Sequence, residues 1–220
     1  MVRHFERELN DLKANLISMG ELVDGQIDAA CKALFEGDVE TAGRVIEGDQ
    51  IVNDFDTRID RQCQRIFALS QPVAIDLRLL MSALKINNEL ERIGDIAVNV
   101  AERVEPLHKY IPFIRSTRLS EMAEIARIMV SDSLDAFIHN NPGRATRVLE
   151  SDDVVDDLDR VIFEKLVTSM KLNHDLIEPA SHVMILSRHI ERLADHATNI
   201  AEDVIFLVDA RLVKHNAYEE

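Results

Sequence analysis

Tryptophan is absent from this chain of 220 residues, aromatic residues make up only 5%, and glycine and proline together number twelve. Few glycines and prolines leave few places where a helix must stop, and few aromatic or β-branched runs argue against sheets. The two cysteines, Cys31 and Cys63, have no CxxC spacing. That excludes a disulfide framework and a cysteine zinc site, and it fits a reducing, cytoplasmic setting. No apolar stretch approaches the ~18 residues that a membrane span requires. The opening Met1-Val-Arg-His-Phe-Glu-Arg-Glu has no apolar run of the kind that marks a secretory signal. Basic stripes are missing too. With 40 acids against 25 Lys and Arg and a net charge of −15, the chain is a poor partner for nucleic acid. It suits cations or basic proteins, or simply stays soluble.

What remains is a helix-building composition rich in Ala, Leu, Ile, Val, Glu, Asp and Arg. Helical periodicity breaks at Glu36-Gly37-Asp38, Ser70-Gln71-Pro72, Pro106 to Thr117, Asn140-Asn141-Pro142-Gly143 and Asn173-His174-Asp175. Six helices are expected between these breaks, at 4–36, 38–69, 73–106, 117–140, 142–172 and 175–213. Asp38, Ser70, Asn141 and Asp175 are the expected N-caps, with Pro142 in a first helical turn. Short connections make successive helices antiparallel, which gives an all-α fold of two pseudo-symmetric antiparallel three-helix bundles. The boundary falls in 106–117, so the halves are 1–109 and 116–214.

An internal repeat supports the two halves. Glu91-Arg-Ile-Gly-Asp95-Ile-Ala-Val-Asn99-Val-Ala-Glu102 returns as Glu191-Arg-Leu-Ala-Asp195-His-Ala-Thr-Asn199-Ile-Ala-Glu202, with seven of twelve residues identical. Ala42-Gly-Arg44-Val-Ile-Glu47-Gly-Asp49 likewise matches Ala145-Thr-Arg147-Val-Leu-Glu150-Ser-Asp152. A repeat that keeps polar as well as apolar residues points to two copies of one unit with the same oxygen-rich surface.

On a helical wheel Ile86, Leu90, Ile93, Ala97, Val100 and Val104 form an apolar stripe. Asn88, Glu91, Asp95, Asn99 and Glu102 form a polar one about 180° away. Glu191 and Asp195 repeat this in the last helix. A Glu and an Asp one turn apart, about 6 Å between Cβ atoms, repel unless something positive lies between them. The second and fifth helices add the stripes Asp49, Asn53, Asp56, Asp60 and Asp152, Asp156, Asp159. These could approach the Glu/Asp ridges across the groove between neighbouring helices. Two readings stand: ordinary solvated faces with arginine pairs, or surface sites for a cation that prefers oxygen ligands, such as magnesium, calcium, manganese or iron. A buried di-iron centre needs inward carboxylates and a Glu-x-x-His pair. The one such pair, Glu105-Pro-Leu-His108, sits at a proline-broken helix end. His196 could join a cation, but its repeat counterpart Ile96 favours a wall or surface role. No phosphate loop and no nucleophile with an adjacent base occurs, so the chain is not expected to be an enzyme.

Arg44-Val-Ile-Glu-Gly-Asp49 with Val52-Asn53, Gln71-Pro72 through Asp76-Leu-Arg78, Glu89-Leu-Glu-Arg-Ile-Gly-Asp95, and Ile190-Glu-Arg-Leu-Ala-Asp195 with Asn199-Ile resemble the PhoU family of phosphate-signalling regulators. The resemblance implies two three-helix bundles whose acidic stripes bind metal, iron, zinc, manganese or magnesium in divalent or trivalent form. It names Glu91, Asp95, Glu191 and Asp195 as ligands, with Asp49, Asp152 and Asp156 behind them. It also implies a dimer, and a cytoplasmic negative regulator acting between the ATPase of the phosphate ABC transporter and a sensor histidine kinase. Asp76, Arg78 and Arg147 are the expected partner contacts, with peripheral rather than inserted membrane association. Metal storage or a carboxylate-bridged metalloprotein is the alternative. Asn53 departs from its repeat partner Asp156, and the second half lacks a full Gln-Pro-x-x-x-Asp-Leu-Arg copy, so a partner surface built on it would be asymmetric.

Overall fold

The computed structural model describes residues 2–211 and Val213, and every described element is helical. Six long helices carry the fold: α1 (Val2–Glu36), α2 (Val39–Ser70), α3 (Ile75–Ala101), α6 (Leu119–Ile138), α7 (Pro142–Leu172) and α8 (Ile177–Asp209). Two short ones, α4 (Val104–Leu107) and α5 (Ile111–Ser116), flank a 3₁₀ turn at His108–Tyr110. The segment between the halves is therefore a chain of helical turns. The expected end of the last helix at 213 lies beyond Asp209, where Ala210 turns left-handed; residues 212 and 214 lie outside the described residues. No described helix is long and apolar enough to cross a membrane.

Local chemistry explains most boundaries. At Asp38 the carboxylate accepts from the Thr41 amide at 3.0 Å and from its hydroxyl at 2.5 Å. The hydroxyl bond and then the amide bond hold this carboxyl below the ordinary range. Before it, Gly37 at φ +75° closes α1, with the amides of Gly37 and Asp38 both reaching Ala33 O. At Asn140, also left-handed (φ +48°), α6 ends with the amides of Asn140 and Asn141 reaching Phe137 O and Ala136 O. Asn141 then accepts the Arg144 amide at 3.0 Å and starts α7. Replacing Asn141 with Ala should lower stability by about 1 kcal/mol and with Gly by only a few tenths. Urea denaturation of the two variants checks this, and equal losses would count against the cap.

The other two expected caps are not used. Ser70 is the last residue of α2, Gln71 follows in the left-handed region, and α3 starts after Ala74 without a side-chain cap. Asn173, not Asp175, caps the turn before α8, accepting the Asp175 amide at 3.0 Å. The third helix also ends early, at Ala101. Pro106 lacks an amide proton and its ring clashes with the carbonyl four residues back, that of Glu102, so the helix breaks there and resumes at Val104.

Helices α1, α2 and α3 form one bundle, and α6, α7 and α8 the other. The bundles meet along α3 and α8, with α1 against α6. Buried residues from both join one hydrophobic core, from Leu12, Met19 and Leu90 to Ile162, Leu186 and Ile190. Polar pairs stitch the antiparallel α3–α8 seam. Lys85 Nζ donates to Asp203 Oδ1 at 2.6 Å, His196 Nδ1 and Asn199 Nδ2 lie 2.7 and 3.1 Å from Glu89 Oε2, and Arg103 lies 3.3 Å from His182 Nδ1. His196 is therefore a seam residue rather than a cation ligand. Both cysteines are free. Burial pushes each thiol up to about 12, which keeps them unreactive.

Candidate functional site

Each third helix has neighbours on two sides. The partner bundle covers one flank, and the second helix of its own bundle covers the other. Glu91 and Glu191 are consequently not on an open ridge. Their side chains are only 24% and 17% exposed, while Asp95 is 44% exposed. The wheel placed the polar stripe opposite the core, and that holds for Asp95. It fails for the glutamates because a packed helix pair buries an arc wider than one apolar stripe.

The acidic stripes of the second and third helices do converge. In the first half Glu91 is raised above its ordinary range by burial, then by Asp95, with Asp56 and Asp49 adding to it and Arg92 opposing. In the second half Glu191 is raised by burial and Asp195, with smaller contributions from Asp159 and Asp156 and opposition from Arg188. Asp156 is raised by burial and then by Asp195 across the groove. Each half thus gathers four or five acids between two antiparallel helices, with Asp49 and Asp56 beside Glu91 and Asp95, and Asp156 and Asp159 beside Glu191 and Asp195. Carboxylates under this mutual repulsion gain from an adjacent cation.

Part of the charge is balanced from within. Asn53 donates to Asp49 Oδ2 at 2.8 Å, and Asn87 to Asp56 Oδ1 at 2.6 Å. In the second half Ser187, at the repeat position of Asn87, donates to Asp159 Oδ1 at 2.5 Å. Arg92 stands 3.5 and 3.6 Å from Glu91 and Asp95, and Arg188 3.1 and 3.5 Å from Asp159 and Glu191. Asp49 Oδ1 has no such partner, and Glu91 Oε2 has only the ion pair with Arg92 Nε at 3.5 Å; both are buried without a hydrogen bond, as are both amide atoms of Gln26 on α1. Buried polar atoms are rarely left so, and orphaned carboxylate oxygens in an acidic groove fit an oxygen-preferring cation. No three His, Cys, Asp or Glu side chains among the described residues already stand as a ligand set. A cation would have to draw them together by side-chain rotation.

Asn87, Ser187, Arg188 and Gln26 escaped the sequence reading. The first three sit on third-helix positions that a single apolar stripe leaves unassigned, and only their repeat register marks them. Gln26 lies among core residues of α1 and carries no motif.

The expected partner contacts do not come together. Asp76 lines a groove of about 490 Å³ with Glu6, Lys13 and Ile75. Arg78 is half-buried with Nε unpaired, and the structure shows no ion pair between the two. Arg147 is exposed on α7, reaching only Gly143 O at 3.4 Å. Around Asp76 the surface is apolar: Leu69 and Val73 are 72% and 71% exposed, and Ile75 stands beside them. The pair Glu105 and His108 lies in the turns after α3, with His108 Nδ1 against the Glu105 backbone carbonyl, away from any bundle interior.

Comparison with known proteins accounts for this arrangement. The model of the PhoU domain matches residues 16–104 and again 119–204. A phosphate-specific transport system accessory protein PhoU homolog from Aquifex aeolicus is 40% identical over 214 residues, 97% of each chain. A homolog of the same description from Pseudomonas putida is 36% identical over 97% of this chain and 84% of its own. The crystal structure of PhoU from Pseudomonas aeruginosa superposes with a TM-score of 0.88 at 36% identity, covering 94% of this chain and all of that one. The phosphate transport system regulatory protein PhoU from Streptococcus pneumoniae gives 0.85 at 27% identity, covering 96% and 100%.

Proposed function

This chain belongs to the PhoU family, and from that premise we propose that it is a cytoplasmic accessory protein of a phosphate-specific transport system. Its role is that of a non-enzymatic, metal-binding adaptor between the ATPase of the phosphate ABC transporter and a sensor histidine kinase. When phosphate is plentiful it restrains uptake and keeps the kinase from switching on the starvation response. The observation that carries this reading is the match of the family domain to both halves of the chain, with a relative so described similar from end to end.

The geometry is compatible with each part. The groove residues Glu91, Asp95 and Asp49, and Glu191, Asp195, Asp152 and Asp156, would hold the metal. With these residues as ligands, a bound hard cation would supply the positive charge that the groove lacks and would link the second helix of each bundle to the third. The chain's own residues set where it sits: Asn87 and Ser187 fix the carboxylates of Asp56 and Asp159, and Arg92 and Arg188 partly neutralise the rim. For protein partners, the α2–α3 turn offers exposed Leu69 and Val73 next to Asp76 and Arg78. An apolar patch with a charged rim is what a docking site needs. A homodimer is part of the same reading.

Deleting the gene should raise expression of phosphate-regulated genes in phosphate-rich medium, and the wild-type chain should reverse it. Unchanged expression in the deletion strain would overturn the regulatory role. The Asp76→Ala/Arg78→Ala variant, with wild-type levels and fold, should fail to restore repression if the turn is the partner surface.

A further inference from the structure

Gln26 is 7% exposed, points from α1 into the core, and leaves both amide atoms without a hydrogen bond. Two glycines frame it. A Cβ on Gly48 of α2 would stand 3.6 Å from Nε2, and one on Gly94 of α3 would stand 3.7 Å from Oε1 and 3.7 Å from Asp49 Oδ1. The amide therefore reaches between α2 and α3 to the inner end of the acidic groove, where Asp49 Oδ1 and Glu91 Oε2 are also buried without a hydrogen bond, the latter facing only Arg92 Nε at 3.5 Å. Three helices each present a buried oxygen without a hydrogen bond there.

The second half keeps Asp49 and Glu91 as Asp152 and Glu191 but is built differently at the other three points. In the register of the repeat, Gln26 is replaced by Met129, Gly48 by Ser151 and Gly94 by Ala194. Met129 and Ala194 are buried. A thioether is a poor ligand for a hard cation, and the added side chains occupy the positions that the glycines leave open. At the groove's rim exposed Asn88 becomes Arg188, which pairs with Asp159 at 3.1 Å and Glu191 at 3.5 Å. Arg92 on the first rim keeps to 3.5 and 3.6 Å from Glu91 and Asp95, whereas Arg188 is hydrogen-bonded to Asp159, so the second groove is the more neutralised of the two.

We propose that the two acidic grooves are unequal: the first is a deeper site for a hard divalent cation in which Gln26 Oε1 joins Asp49 and Glu91 from behind, and the second is a weaker site because Met129 offers no such oxygen and Arg188 is already hydrogen-bonded to Asp159. The inference rests on the metal-binding part of the proposed function and adds a ligand, a selectivity for oxygen-preferring ions and an order of filling. A neutral carbonyl beside two carboxylates is a donor set that suits Mn²⁺ or Mg²⁺.

The test is titration of the full, metal-stripped chain with Mn²⁺, followed by calorimetry and by the electron paramagnetic resonance of free ion. Two classes of site are expected. Gln26→Leu should weaken the tighter class about tenfold or more and leave the weaker one unchanged, and Gly94→Ala should do the same by blocking the approach. Arg188→Gln should strengthen the weaker class alone. Gln26→Met, which installs the residue of the second half, serves if the leucine variant does not fold, with circular dichroism as the check. Wild-type isotherms for both the Gln26 and Gly94 variants, or a single class of identical sites, would overturn the inference and leave metal binding standing. No Mn²⁺ bound to any form at millimolar concentration would overturn the metal reading itself.

Discussion

Alanine at Leu90 is expected to lower the unfolding free energy of the entire chain by about 2–5 kcal/mol, and alanine at Ile190 by a similar amount. Both side chains are fully buried, so each truncation leaves a cavity that a close-packed interior fills only in part. The sharper expectation is that the two substitutions shift one common transition. Leu90 and Ile190 belong to different bundles yet to one continuous core. The bundles are further joined by Lys85 with Asp203, Glu89 with His196 and Arg103 with His182. On the other side α1 and α6 approach so closely that a Cβ on Gly20 would stand 2.8 Å from Leu134 Cδ2. Unfolding one bundle would expose the flank of the other. Each kcal/mol should appear as about 2–4 °C in melting temperature for a chain of this size. Chemical denaturation followed by circular dichroism and by a probe placed in each half checks the cooperativity. Two separable transitions, one sensitive to each substitution, would show the halves to be independent.

How much of this was legible beforehand divides along a physical line. The six long helices were, because each is amphipathic over 20 residues or more and each break carries its own chemistry. Gly37 with Asp38 and Asn140 with Asn141 are cap sequences that mean the same thing wherever they occur. Ser70 and Asp175 were cap-forming residues in positions where the chain closes differently. At Ser70 the left-handed Gln71 ends the preceding helix first, and at Asp175 its neighbour Asn173 already accepts the amide. The acidic stripes were legible because they repeat in register. What a single wheel could not show is that α3 has two buried flanks. Lys85 and Glu89 carry no sequence sign of being cross-bundle contacts, and Gln26 carries none of ending beside Asp49. Such residues take their meaning from a helix distant in sequence, and neither period nor spacing reports it.

The Lys85–Asp203 pair gives the most telling pH dependence in the molecule. Asp203 is almost enclosed, with its side chain 10% exposed, while Lys85 is half in solvent at 51%. Burial raises the Asp203 carboxyl above its ordinary value, the hydrogen bond and charge of Lys85 pull it back, and Glu89 pushes it up again. Ser82 adds a contact only to the Asp203 backbone carbonyl. Lys85→Ala removes the two lowering influences, so the carboxyl must rise further. A group whose folded pKa lies above its unfolded one contributes stability that is complete below the unfolded value and is lost as pH rises through the folded value. The variant should therefore lose about 1–3 kcal/mol near neutral pH, the usual consequence of leaving a buried polar group unpaired, or about 2–4 °C per kcal/mol. The deficit should shrink as pH falls and the raised carboxyl takes up its proton. Adding Asp203→Asn to the same background should abolish that pH dependence, since an amide needs no counter-charge. Thermal melts of the three proteins between mildly acidic and mildly alkaline pH decide it. A deficit of the same size at every pH would mean that Lys85 contributes only the packing of its stem against Phe206, whose ring lies 5.9 Å from the ammonium, and not the neutralisation of a carboxylate buried between the two bundles.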